Sequence, residues 1–131
     1  MPRGALILIV EDNPVIALDM AFAVEDVGGT VLGPAASIKE ALALIEKKAI
    51  AGAILDVNLV DGEISPVAER LISDAIPFVI QTGVGLPSDL ASRFPDIVMR
   101  IKPCAATDMI ELLAAMITTK RQSETCQGRT S

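Results

Sequence analysis

Short apolar runs alternate along this chain with amphipathic stretches of ten or more residues. The runs are rich in Ile, Val and Leu, which is typical of buried strands, whereas the longer stretches repeat apolar residues at helical spacing. Strands that alternate with helices form parallel sheets, because each helix carries the chain back to the same end of the sheet. The pattern therefore predicts one α/β domain, and 131 residues leave no room for a second module.

Five strands are expected, and their composition predicts their order in the sheet. The first and third are apolar on both faces, as expected of central strands that helices cover. The second contains Pro34 and the fifth contains Arg100, and both residues favour edge positions. With right-handed crossovers, this predicts a doubly wound parallel sheet of order 2-1-3-4-5, the flavodoxin-like arrangement. The strands are expected at residues 5–10, 30–35, 53–57, 78–82 and 97–102.

Capping residues mark where the helices begin. Asn13 followed by Pro14 is typical of the N-cap and first helical positions, and Ser37 with Glu40 forms a capping box. We expect the folded domain to span residues 1–119 and the polar, aperiodic residues 120–131 to form a flexible tail. The helices are expected at residues 14–27, 38–45, 66–74, 88–94 and 107–119.

Composition excludes several classes of function. The net charge of −6 repels phosphate backbones, and aromatic residues make up only 2%, so direct nucleic-acid binding is disfavoured. The sequence has no histidine, which removes the usual general base and the commonest transition-metal ligand. Cys104 and Cys126 have no partner pattern, which suits a reducing compartment. The first apolar run is too short to span a membrane and lacks a cleavage site, so we expect a cytoplasmic protein.

Polar residues gather where the predicted strands end. Glu11 and Asp12 follow the first strand, Asp56 lies at the end of the third, Thr82 ends the fourth, and Lys102 ends the fifth. The carboxyl ends of parallel strands meet at one edge, and ligands bind there at the point where strand order reverses. Three carboxylates and one lysine leave excess negative charge, which a hard cation with oxygen ligands would neutralise. This predicts a Mg²⁺ site.

Asp56 is the candidate for covalent chemistry at this edge. A carboxylate can attack phosphorus to give an aspartyl phosphate, which needs positioning and charge neutralisation rather than a strong base. The lack of histidine is then no obstacle. Thr82 would offer a hydroxyl, Gly83 an unobstructed backbone N–H, and Lys102 a positive charge to the phosphoryl oxygens.

Four motifs in order, VEDNP, LDVNL, QTG and IKP, resemble the receiver domain of two-component response regulators over residues 5 to about 118. The resemblance implies that a histidine kinase or phosphotransfer protein donates a phosphoryl group to Asp56. It also implies that Thr82 and Lys102 sense the phosphoryl group, that the protein is no enzyme beyond its own phosphorylation and dephosphorylation, and that its response is a protein contact or a relay role. The implied Mg²⁺ ligands are Glu11, Asp12, Asp56 and the Asn58 carbonyl.

More narrowly, DVNL followed by Gly62-Glu63, the PFV…TG strand and a short fourth helix look like the alphaproteobacterial FAT GUY receivers, although the sequence departs from them. Their namesake motif reads close to F-A-T-G with a following aromatic, whereas this chain has Ile80-Gln81-Thr82-Gly83. Met99 stands where receivers usually carry Tyr or Phe, and Cys104 stands where Phe is common.

Two alternative functions stay open from the sequence. A phosphatase of the haloacid-dehalogenase type also uses a strand-end aspartate, but it expects a second aspartate two residues later, where this chain has Asn58. A receiver-shaped binding module that never takes phosphate is suggested by the missing switch aromatic, and the intact acidic pair argues against it.

Overall fold

A computed structural model describes residues 2–59, 61–83 and 85–130, with only the backbone described for Asn58 and for 121–130. Helices and strands alternate along the chain, as the sequence predicts. The elements are β1 (Leu6–Val10), α1 (Pro14–Asp26), β2 (Thr30–Ala35), α2 (Ile38–Lys47), β3 (Gly52–Asp56), β4 (Asn58–Leu59), β5 (Gly62–Glu63), α3 (Ser65–Ser73), β6 (Phe78–Thr82), α4 (Ser88–Arg93), β7 (Val98–Ile101) and α5 (Ala106–Thr130).

Five strands form one parallel sheet of order β2-β1-β3-β6-β7. Since β6 and β7 are the fourth and fifth strands of that sheet, the predicted order 2-1-3-4-5 and the flavodoxin-like α/β fold are confirmed. The short strands β4 and β5 pair antiparallel in a separate hairpin directly after β3. The sequence does not predict this hairpin, because two-residue strands carry no periodicity.

Side chains alternate between the two faces of the sheet, and each face has its own core. On one face, Ile9 and Ile54 pack with apolar residues of α1 and α5. On the other, Val10 and Leu55 pack with α2, α3 and α4. The central strand β3 is buried along its whole length, as the sequence predicts for a strand covered on both sides. The packed centre of the sheet therefore fixes the positions of the residues that follow its strands.

The helix boundaries follow the capping signals closely at the start of the chain. The Asn13 side chain accepts hydrogen bonds from the backbone N–H groups of Val15 and Ile16, which caps α1. Ser37 accepts from the N–H of Glu40 and caps α2. Both contacts satisfy donors that the first helical turn leaves unpaired.

The last helix differs from the prediction. The sequence predicts that it ends at Thr119, but α5 continues to Thr130. The buried apolar residues of the described part of α5 end at Ile117, whereas its backbone stays helical to Thr130. The side chains of 121–130 and residue 131 lie outside the described part of the chain, so a boundary at 119 with a flexible tail stays a prediction. None of the helices in the described part combines the length and hydropathy needed to cross a bilayer.

Candidate functional site

The register of the sheet places three polar side chains side by side. Asp56 on β3 pairs with Gln81 on β6, and Val10, the residue before Glu11, pairs with Leu55. Side chains two residues apart in a strand share a face, so Glu11, Asp56 and Gln81 continue the face that packs against α1 and α5. The strands thus deliver them to one edge of the sheet.

The predicted acidic residues come together at this edge. One carboxylate oxygen from each of Glu11, Asp12 and Asp56 lies within 4.8 Å of the others. Glu11 is only 2% exposed and Asp56 8%, whereas Asp12 is exposed at the mouth of the site. We call Glu11, Asp12 and Asp56 the acidic cluster.

Lys102 supplies the positive charge beside the acidic cluster. Its Nζ lies 3.3 Å from Asp56 Oδ1 and 3.7 Å from Glu11 Oε1. The backbone N–H of Lys102 donates to the Thr82 carbonyl at 2.8 Å, which extends the pairing of β6 and β7 by one residue. The end of β7 therefore aims the lysine at the carboxylates.

Burial makes the Glu11 carboxylate costly to ionise. Its pKa rises from 4.5 to about 7, mainly because the buried group loses its hydration and secondarily because Asp56 carries a like charge. Two interactions oppose the rise, a hydrogen bond of 3.1 Å from the Asn13 N–H to Oε2 and the charge of Lys102. One lysine thus does not balance the acidic cluster.

The donor set of this edge fits Mg²⁺. The acidic cluster offers hard oxygen ligands from two buried side chains and one exposed side chain, and it holds an excess of negative charge beside Lys102. Mg²⁺ prefers oxygen ligands, is held by one or two carboxylates, and retains several waters that the exposed side of the site can accommodate. The Asn58 backbone lies two residues beyond Asp56, at the start of the hairpin.

The predicted phosphoacceptor is held by two donors. Asp56 Oδ1 accepts a hydrogen bond of 2.8 Å from the N–H of Val57 and lies next to Lys102. Both donors contact Oδ1, and neither contacts Oδ2. The carboxylate lies at the end of β3, a strand that is buried along its whole length between the two cores.

Thr82 and Gly83 end β6 and begin the loop after it, and the Thr82 side chain does not share the face of the sheet that carries Glu11 and Asp56. Thr82 follows Gln81 in β6, so it faces the opposite side of the sheet from Asp56. Its buried hydroxyl donates to the Gly85 carbonyl at 3.0 Å and accepts from the Gly85 N–H at 3.1 Å. Gly83 is exposed, and a side chain there would meet no atom within 4 Å. The structure thus ties Thr82 to the loop that leads into α4.

The hairpin after Asp56 is attached to α2 by a contact that the sequence does not predict. Both carboxylate oxygens of Asp61 accept hydrogen bonds, from the N–H groups of Ile38 at 2.8 Å and Lys39 at 3.2 Å. The Ile38 hydrogen bond is the main reason why the pKa of Asp61 is lowered. The Asp-Gly pair at 61–62 signals a turn, but nothing in the sequence indicates that the aspartate caps a helix 23 residues earlier.

Gln81 is a second site residue that the sequence motifs do not predict. It is 2% exposed, and its Nε2 donates to Glu11 Oε1 at 2.9 Å. A signal was present in the strand, because a glutamine in an otherwise apolar run of FVIQT needs a buried partner. The identity of that partner depends on the sheet order.

Comparisons with known proteins agree with this geometry. No family model matches the sequence, and no curated protein matches it. Among solved structures, a CheY-like response regulator receiver domain protein from Methanospirillum hungatei JF-1 superposes with a TM-score of 0.80 at 24% identity, covering 91% of this chain and 98% of that one. The chain thus has the fold of a CheY-like receiver domain, and it carries an acidic cluster and a lysine at one edge of the sheet.

Two other solved structures have sequences more similar to this chain, and they show its family. SdrG from Sphingomonas melonis Fr1 is 38% identical with a TM-score of 0.73, and the match covers 90% of this chain and 99% of SdrG. The response regulator PhyR from Brucella abortus is 30% identical with a TM-score of 0.79 over 98% of this chain, which spans only 54% of PhyR. The chain therefore belongs to the family of response regulator receiver domains.

Proposed function

We propose that this receiver accepts a phosphoryl group on Asp56 and converts that event into a change of protein contacts or into onward relay. The observation that carries the proposal is the position of Asp56, buried on the central strand with Lys102 Nζ at 3.3 Å and two further carboxylates within 4.8 Å. An oxygen of Asp56 would attack phosphorus while the bond to the donor breaks, and Lys102 would stabilise the charge that develops on the phosphoryl oxygens.

The cation of this reaction would be Mg²⁺, held by the acidic cluster and the Asn58 carbonyl. When bound, it supplies charge neutralisation for the phosphoryl group. The residues of the chain do the rest: β3 fixes Asp56, Val57 orients its carboxylate through the backbone N–H, and Glu11 remains fixed behind it. The proposed donor is a histidine kinase or phosphotransfer protein in the cytoplasm, and membership of the FAT GUY subgroup is part of this proposal.

The segment from Gly83 to Phe94 is the element that we expect to respond. The α4 helix has only six residues and no side-chain cap, and the preceding loop is joined to Thr82 by two hydrogen bonds to Gly85. For the Thr82 hydroxyl to donate to a phosphoryl group on Asp56, its bond to the Gly85 carbonyl must break, because a hydroxyl has only one proton to donate. Phosphorylation would thereby release a segment of low local stability.

Intact mass spectrometry with acetyl phosphate and Mg²⁺ tests the proposal. The parent should gain one labile phosphoryl group, and Asp56→Asn should gain none. Amide NMR signals from 83 to 94 should shift most on phosphorylation. A parent that stays unmodified would support a binding module that never takes phosphate, whereas steady turnover of a phosphomonoester would support a phosphatase; either result overturns the proposal.

A further inference from the structure

Gln81 lies in a buried strand, where a polar side chain destabilises the fold unless it is hydrogen-bonded. The preceding residues of β6, Phe78 to Ile80, are buried and apolar, and they pack into the two cores of the sheet. Burying an amide without a partner costs free energy because the group loses its hydrogen bonds to water, so an apolar residue would suit the core better. The glutamine is therefore explained only by what its side chain binds.

The side chain of Gln81 reaches across β3 to the first strand. Its Nε2 donates to Glu11 Oε1 at 2.9 Å and lies 3.7 Å from Met20 Sδ, a weak acceptor on α1. The Asn13 N–H holds the other oxygen of the carboxylate, Oε2, at 3.1 Å. Because donors hold both oxygens, the plane of the Glu11 carboxylate is fixed from two sides.

The contact with Glu11 requires a hydrogen-bond donor at position 81, and the amide of Gln81 supplies one without a charge. An ionised carboxylate only accepts hydrogen bonds, so its partner must donate, and a further carboxylate there would repel it. Lys102 Nζ is 3.7 Å from the same Glu11 oxygen, a longer contact than the amide makes, and it also faces Asp56 at 3.3 Å. Gln81 thus holds Glu11 without adding charge, which leaves Lys102 to face Asp56.

We infer that Gln81 is a positioning residue, which fixes the Glu11 carboxylate for cation binding at the phosphoacceptor site. The inference rests on the proposed function, since it assigns Glu11 to the Mg²⁺ site. Groups that orient metal ligands in this way typically change metal affinity by about 10- to 100-fold when removed. Loss of the Gln81 amide should therefore weaken Mg²⁺ binding.

The test measures Mg²⁺ affinity of the parent and its variants by calorimetry, since the chain has no Trp or Tyr to report it by fluorescence. Gln81→Met keeps the length of the side chain and removes the donor, and a cavity of about 390 Å³ beside positions 81 and 102 leaves room for it. We expect its Mg²⁺ dissociation constant to rise about tenfold. In the Glu11→Gln background, the same change should have an effect of less than about twofold. Met20→Leu, which removes the other neighbour of the amide, is the matched control and should bind as the parent does.

A second measurement keeps the inference testable if Gln81→Met does not fold. The side-chain NH₂ signals of Gln81 in the parent should shift on addition of Mg²⁺ and on the Glu11→Gln change in the metal-free protein. Equal Mg²⁺ affinity in the parent and Gln81→Met, or amide signals that neither change moves, would overturn the positioning role while leaving the proposed function intact. A parent that does not bind Mg²⁺ would overturn both.

Discussion

Replacement of Glu11 by glutamine should stabilise the metal-free protein at alkaline pH. Glutamine is the same size, and the change removes a carboxylate that is 2% exposed and close to Asp56. The pKa of Glu11 rises from 4.5 in the unfolded chain to about 7 in the fold, which corresponds to roughly 3 kcal/mol between its two protonation states. This difference of roughly 3 kcal/mol destabilises the folded state of the parent when the Glu11 carboxylate is ionised.

The sign of the pH dependence follows from this rise. The folded state binds the proton more tightly than the unfolded state, so the contribution of Glu11 to stability falls as the pH rises from 4.5 to about 7. The free energy of unfolding of Glu11→Gln minus that of the parent should therefore grow by about 2–3 kcal/mol between about pH 5 and about pH 8. Above that range, the difference should be constant.

Urea denaturation followed by far-UV circular dichroism measures this difference, with EDTA present to remove divalent cations. Glu111→Gln, which removes an exposed carboxylate on α5, is the control and should differ from the parent by a small, constant amount. Millimolar Mg²⁺ should close part of the gap at high pH, since a cation offsets the buried charge in the parent. A gap between parent and Glu11→Gln that does not change with pH would refute the reasoning from burial.

Two further predictions concern the framework around the site. Ala75 follows α3 at a φ of 56°, which costs a residue with a Cβ about 1 kcal/mol, so Ala75→Gly should raise the thermal midpoint by a few degrees. Gly28→Ala is the opposite change after the end of α1, where φ is 89° and a new Cβ would meet no atom within 4 Å. It should lower the thermal midpoint by a similar amount. Thermal midpoints equal to that of the parent in both variants would contradict the prediction. Asp61→Asn should lower the urea midpoint at neutral pH, because the ionised carboxylate accepts the hydrogen bond from Ile38. The pKa of Asp61 is lowered in the fold, so its carboxylate stabilises the protein only when it is ionised, and the loss should vanish as the pH falls below about 4. A loss that persists in acid would show that charge is not the cause.

The sequence by itself determined the sheet and most of the site. Short apolar strands that alternate with helices favour a parallel sheet, and Pro34 and Arg100 indicate edge strands, so local composition was enough to predict the strand order. Once that order is fixed, residues at the carboxyl ends of strands must meet at one edge. This is why Glu11, Asp56 and Lys102 could be predicted to lie together, and the structure places them together.

Only the tertiary structure decided which side chains touch and how. The contact of Gln81 with Glu11 spans 70 residues and depends on two registers, and the Asp61 contact with α2 spans 23. The pleat places Thr82 on the opposite face from Asp56, and the buried environment raises the pKa of Glu11. Local sequence encodes where a strand begins and ends, but hydrogen bonds and desolvation depend on neighbours that are distant in the chain, and packing brings these together.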